Sequence, residues 1–153
     1  MTKKLPSLAA ALGGALACAC AMLAPAAHAA DQAISVQNAW VRWLPGNLPA
    51  AGYLTLRNDG DKNVDLVDVD SNDYGSVMLH QTISNGSTQK MVMVDKLTVP
   101  AHGSVSVAPG GYHLMLEEPK HKIAPGDTVH IKLEFSNGAT LDTPFAVKTP
   151  AQQ

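Results

Sequence analysis

Between Ile34 and Val147 the chain is cut every few residues by a turn signal, and apolar and polar residues alternate between the cuts. Period-two alternation puts every second side chain on one face of an extended strand. Runs this short leave no stretch for an amphipathic helix. Strands are expected over residues 34–43, 51–57, 64–69, 76–83, 88–94, 104–107, 112–117, 128–135 and 140–147. Pro45-Gly46-Asn47, Asn58-Asp59-Gly60, Asn85-Gly86, Pro100-Ala101-His102-Gly103, Pro109-Gly110-Gly111, Pro125-Gly126-Asp127 and Asn137-Gly138 separate them. The pattern predicts an all-β chain, a Greek-key β-sandwich or barrel of about eight to nine short strands. The tail from Thr149 to Gln153 is expected to fray.

The first residues address the chain. Lys3 and Lys4 precede an uncharged, Ala- and Leu-rich run over 8–23, and Pro25-Ala26-Ala27-His28-Ala29-Ala30 closes it with small residues. This reads as a secretory signal peptide, residues 1–29, cut near Ala29/Ala30 and leading to a bacterial periplasm. A membrane anchor is the rival, weakened by the shortness of the run and by Gly13-Gly14. A lipoprotein signal at Cys18 is a third reading; Ala15 stands where a large apolar residue is usual. Cleavage leaves one domain, 30–153, with no membrane insertion. Cys18 and Cys20 both leave with the leader, so the mature chain has neither disulfide nor thiol chemistry. It keeps nine Lys and Arg against thirteen Asp and Glu, which offers nothing to nucleic acid.

One hairpin can be registered. Asn85-Gly86 is a preferred two-residue type I′ turn. With those two at the tip, Val77 faces Val94 and Leu79 faces Val92 on the core side. Met78 then meets Met93, and His80 meets Met91, on the other. Opposed Cβ atoms lie about 4.5–5.5 Å apart, close enough to share one ion. The run 112–117 repeats the arrangement: Tyr112, Leu114 and Leu116 share one face, and His113 and Met115 the other. Two imidazoles and two thioethers form a soft, neutral donor set that selects Cu(I) over Zn(II), Mg(II) or Ca(II).

Blander readings stand beside this one. Methionine is usually a core filler, although Met91 and Met115 lie on the parity opposite their Val and Leu neighbours. His130 alternates against Val129, Ile131, Leu133 and Phe135 and reads as a solvated residue, as do His102 in a turn and His121 between lysines. Met78 and Met93 fit either packing or transient ligation. Trp40 and Trp43 have conflicting parities and fit either a docking surface or packing. Asp59-Gly60-Asp61-Lys62-Asn63-Val64-Asp65 imitates the start of a Ca²⁺ loop, but Val64 replaces the central Gly and Asp70 the closing Glu. On pattern alone, the metal site and the packing reading both remain open.

The spacing His-x₁₀-Met-x₂₁-His-x-Met resembles the signature of the periplasmic copper chaperone family associated with the Cu(A) centre of cytochrome c oxidase. Ala39-Trp40-Val41-Arg42, Ala51-Gly52-Tyr53-Leu54-Thr55-Leu56, Met78-Leu79-His80 and Pro109-Gly110-Gly111-Tyr112-His113-Leu114-Met115 carry the likeness across nearly the whole mature chain. The resemblance implies a cupredoxin-like β-sandwich and one Cu(I) per chain, held by His80, Met91, His113 and Met115. Some members have a His- and Met-rich C-terminal extension that takes a Cu(II) ion. This chain ends Thr149-Pro150-Ala151-Gln152-Gln153, so a single ion is expected.

The resemblance further implies a metallochaperone, not an enzyme, passing Cu(I) by ligand exchange to an acceptor such as a cytochrome c oxidase subunit or a thioredoxin-fold copper assembly factor. Binding should weaken as pH falls through about 6.5, where histidine protonates. The same ligands without an acceptor make a copper buffer or resistance protein. A blue-copper carrier is excluded for want of cysteine, and a thioether set disfavours the Cu(II) state of a copper redox enzyme. A metal-free β-sandwich interaction module is the remaining reading; it predicts that the four side chains act independently.

Overall fold

The computed structural model describes residues 33–46 and 48–152. The expected signal peptide and its cleavage point lie outside the described residues. Ten strands follow in order: β1 (Ile34–Arg42), β2 (Ala50–Asn58), β3 (Val64–Asp70), β4 (Tyr74–Asn85), β5 (Thr88–Met93), β6 (Leu97–Val99), β7 (Gly103–Val107), β8 (Tyr112–Pro119), β9 (Thr128–Phe135) and β10 (Thr140–Lys148). A short 3-10 turn, Pro150–Gln152, ends the chain. Thr149 braces it, its N–H and hydroxyl both donating to Gln152 Oε1 at 3.0 Å. The unforeseen strand is β6, whose three residues are too few to show an alternation.

The strands form one curled sheet, β5-β4-β8-β2-β1-β10-β9-β3-β6, with β7 also pairing β2. Among the described residues it does not close into a barrel. The last strand returns beside the first: β1 pairs β10 in parallel and β2 antiparallel. One edge of β2 serves twice, Ala50–Gly52 against β8 and Leu54–Asn58 against β7. Gly52 lets β8 approach; a Cβ there would lie 3.2 Å from the Leu114 Cβ.

The core follows the alternation. Val129, Ile131, Leu133 and Phe135 point inward from β9, meeting Leu114, Leu116, Leu56 and Phe145, all buried. Each such side chain contributes about 1.5–3 kcal/mol by leaving water. Asn58 is the polar exception. It donates to the Lys62 carbonyl at 2.7 Å and the Val99 carbonyl at 3.2 Å, and accepts from the Gly60 N–H. A residue that read only as turn punctuation therefore ties β2 to β6.

The hairpin register departs from expectation. The loop is Gly86-Ser87, not Asn85-Gly86, and Asn85 pairs with Thr88 inside the ladder. Gly86 alone of these takes a positive φ, +69°, which is the demand of a II′-type loop with Gly first. Pairing is displaced two residues along β5: His80 faces Met93, Thr82 faces Met91, and Leu79 accepts from Val94 at 2.9 Å. An even displacement keeps every side chain on its face. The expected partners changed while the expected surface survived.

Candidate metal centre

β4 carries the site between β5 and β8. Its pairing with β8 sets His80 directly against His113 and Met78 against Met115. The two imidazole centroids are 5.7 Å apart at 74°. Ala108-Pro109-Gly110-Gly111 makes the turn that delivers His113: the Gly111 N–H donates to the Ala108 carbonyl at 3.0 Å, and Gly110 adopts φ +81°. Pro followed by a positive-φ Gly is the requirement of a type II turn. The Gly111 carbonyl then accepts from the Thr82 N–H at 2.9 Å, locking the loop to β4 beside the histidines.

His113 is buried although it lies on the outer face. Burial holds its pKa below the ordinary 6.5, nearby His80 and Arg42 push the same way, and the Gly111 backbone opposes them. The ring is therefore kept neutral, the form that offers a lone pair to a metal. His80 Nδ1 is buried without a hydrogen-bond partner among the described residues. A buried polar nitrogen left unpaired is costly, and this ring nitrogen is free to take a ligand.

An open recess of about 480 Å³ brings Met91, His113 and Met115 together with Arg42, Tyr53 and Thr82. Met93, although opposite His80, lines a different recess of about 260 Å³ with Met78, Asp68 and Asp95. The cross-strand neighbour of His80 and the methionine sharing the His113 recess are thus different residues. Met91 and Met93 are both well exposed, on the edge strand β5.

The remaining histidines lie elsewhere. His102 pairs with Asp61 at 2.9 Å, His121 with Asp73 at 2.8 Å, and His130 approaches Asp142 at 3.5 Å. The Ca²⁺-like stretch is divided among other partners: Asp59 to Arg57, Asp61 to His102, Asp65 to Lys96. Among the described residues no three His, Cys, Asp or Glu side chains converge as a metal cluster. Trp43 donates to the Ile123 carbonyl at 2.9 Å and packs on the core. Trp40 lies on the outer face, 4.6 Å from Tyr53 between ring centroids. Tyr53 and Arg42 escaped the sequence reading as site residues; their signal was parity, both lying opposite the inward Leu54, Leu56 and Val41.

Residues 34–147 match the model of a family described as "Putative lipoprotein LpqE-like". The chain belongs to the LpqE-like family. A "Putative lipoprotein Lxx21020" of Leifsonia xyli is 30% identical over 145 residues, 93% of this chain and 87% of that protein. An uncharacterised protein of Rickettsia prowazekii, RP573, is 35% identical over 89 residues, spanning 58% of this chain and 49% of the relative. This LpqE-like chain also shares the fold of two copper-containing structures. The copper-bound PCuAC domain from PmoF2 aligns at a TM-score of 0.65 and 26% identity, over 77% of this chain and 94% of that domain. CuI-DR1885 from Deinococcus radiodurans aligns at 0.61 and 35%, over 78% and 83% respectively. The all-β, cupredoxin-like expectation therefore holds, with ten strands rather than eight or nine. The family description and the Leifsonia relative, both named as lipoproteins, point to an exported protein, and no helix among the described residues is long and apolar enough to cross a membrane.

Proposed function

We propose that this LpqE-like chain is a periplasmic Cu(I) metallochaperone, binding one ion through His80, Met91, His113 and Met115. The relations of family and fold are those of a binding protein rather than an enzyme. Copper in the PmoF2 domain and in DR1885 supports the choice of metal. The observation that carries the reading is the pairing of His80 and His113 across β4 and β8, with one ring nitrogen buried and unpartnered. Met115 follows on β8 and, with Met91 from β5, lines the recess of His113; His80 lies beside it, paired with His113, and is not among the lining residues. Neutral nitrogen and thioether donors suit a soft monovalent ion and hold it less firmly than thiolates would.

The cargo is released by ligand exchange. Met91 is 58% exposed on an edge strand, so an incoming ligand displaces this thioether first, and the buried His113 lets go last. The receiver is a copper acceptor such as a cytochrome c oxidase subunit or an oxidase assembly factor. The leader over 1–29 delivers the chain to the periplasm, with a lipid anchor at Cys18 as the alternative that the lipoprotein names of the family and of the Leifsonia relative support. The test is a Cu(I) competition titration of the purified protein against a chromogenic chelator, beside His113→Ala/Met115→Ala. One equivalent held by the protein and lost in the variant is expected. Equal, weak binding by both sinks the copper reading and leaves the metal-free interaction module.

A further inference from the structure

Arg42 stands at the end of a cross-strand row on the outer face. It pairs with Ala51 on β2, and Ala51 pairs with Met115 on β8, which places the guanidinium on the wall of the recess that holds Met91, His113 and Met115. It lies 5.5 Å from the centroid of the Tyr53 ring, an attraction that steadies it over an aromatic face. Its Nε is buried and has no hydrogen-bond partner among the described residues. Across the parallel pairing, its neighbour on β10 is Lys148, whose ammonium lies 5.6 Å from the Trp40 centroid. Neither cation forms an ion pair with a described carboxylate, although the chain as a whole carries more acidic than basic residues.

No Asp or Glu lines this recess among the described residues, and Arg42 is its one formal charge. A monovalent cation held by neutral ligands would add a second positive charge to the same wall. Like charges in a partly desolvated recess repel, and a fork of unused donors on a fixed guanidinium favours a carboxylate above other groups. We infer that Arg42, supported by Lys148, is the docking point for an acidic side chain, Asp or Glu, on the copper acceptor. This rests on the copper reading above. The acceptor's carboxylate bonds to the guanidinium while its metal ligand enters past the exposed Met91. The loaded recess is more cationic than the empty one, so the acidic segment binds the loaded protein more tightly and is let go once the ion has moved. By reciprocity, a docked carboxylate also retains Cu(I) until transfer.

The test compares Cu(I) removal by two chelators from the loaded protein, Arg42→Gln and Lys148→Gln. Bicinchoninate carries carboxylates; neocuproine is neutral and supplies the reference rate for each protein. The expected result is a fall in the bicinchoninate-to-neocuproine rate ratio of about fivefold in Arg42→Gln and a smaller fall in Lys148→Gln, both shrinking at 0.5 M salt as screening removes steering. Arg42→Lys should recover part of the ratio, because it restores charge without the fork. Free acetate that slows bicinchoninate selectively in the unmodified protein would locate the effect at a carboxylate site. A ratio unchanged by Arg42→Gln in protein that still holds Cu(I) overturns the docking role and leaves the copper reading intact. Unmodified protein that takes up no Cu(I) at all overturns both. Each variant's far-ultraviolet circular dichroism is matched to the parent before rates are read.

Discussion

Two methionines two residues apart have separable roles at the level of single side chains. Met91 shares the recess of His113 and Met115, whereas Met93 faces His80 but opens toward Met78. Met91→Leu keeps the apolar bulk and removes a thioether. It should weaken Cu(I) binding by at least about tenfold, and Met93→Leu by less than about threefold; paired competition titrations decide, and the reverse order would move the fourth ligand to Met93. A second residue-level expectation concerns pH. Burial alone would raise the Asp73 carboxyl, but the His121 ring and the His130 N–H, both at 2.8 Å, outweigh it and hold the group below its ordinary 3.8. Asp73 chiefly, with the Lys122 carbonyl, raises His121 above 6.5. A raised histidine gives its full support below its unfolded pKa and loses it as pH rises through the folded one. A lowered carboxyl supports the fold above its unfolded pKa and loses that as pH falls through the folded one. The melting-temperature gap between the protein and His121→Gln should thus be widest near pH 5.5 and close near pH 8.5, to an extent the exposure of the pair keeps small. A gap of equal size at both would show that the ion pair is not its source.

At the scale of elements, the β4–β5 hairpin is where local chemistry and ladder geometry part. The dipeptide Asn85-Gly86 satisfies a I′ turn, and Gly86-Ser87 satisfies a II′ loop. The choice is made by the long β4, whose other edge is already fixed to β8 through Leu79 opposite Leu114 and His80 opposite His113. The Leu79 carbonyl accepts from the Val94 N–H beyond the His80–Met93 pair, so His80 and Met93 form the closer, non-hydrogen-bonded kind of pair. Nuclear Overhauser contacts between the Hα protons of His80 and Met93, and of Thr82 and Met91, are expected. An Hα contact from His80 to Met91 would restore the register read from the sequence. Gly86→Ala should cost about 1–2 kcal/mol, because φ +69° places a Cβ against its own carbonyl; chemical denaturation measures it.

The fold of the whole molecule depends on the first and last strands meeting. β10 lies between β1 and β9, buries Phe145 and Val147, and is the parallel partner of the first strand. A chain stopped after Asn137 would leave Val41 and the inner face of β9 without cover. It should lack a cooperative thermal transition, whereas removal of residues 149–153 should leave the transition in place. A cooperative melt of the shorter chain would mean that β1 to β9 suffice as a core. The same pairing places Lys148 of β10 beside Arg42, the residue that lines the recess.

Most strand positions, the inner and outer faces and the outward parity of His80, Met91, His113 and Met115 were legible in the sequence, because alternation with period two is a local property of the backbone. Strand β6 was too short to register. The pairing of β4 with β8, the unpartnered His80 nitrogen, the burial of His113, the separation of Met91 from Met93 and the row from Arg42 to Met115 were not legible. Each depends on which strands become neighbours and at what offset, and no spacing along one strand encodes its lateral partner. Packing of the shared core selects that arrangement, and the outer-face contacts follow from it.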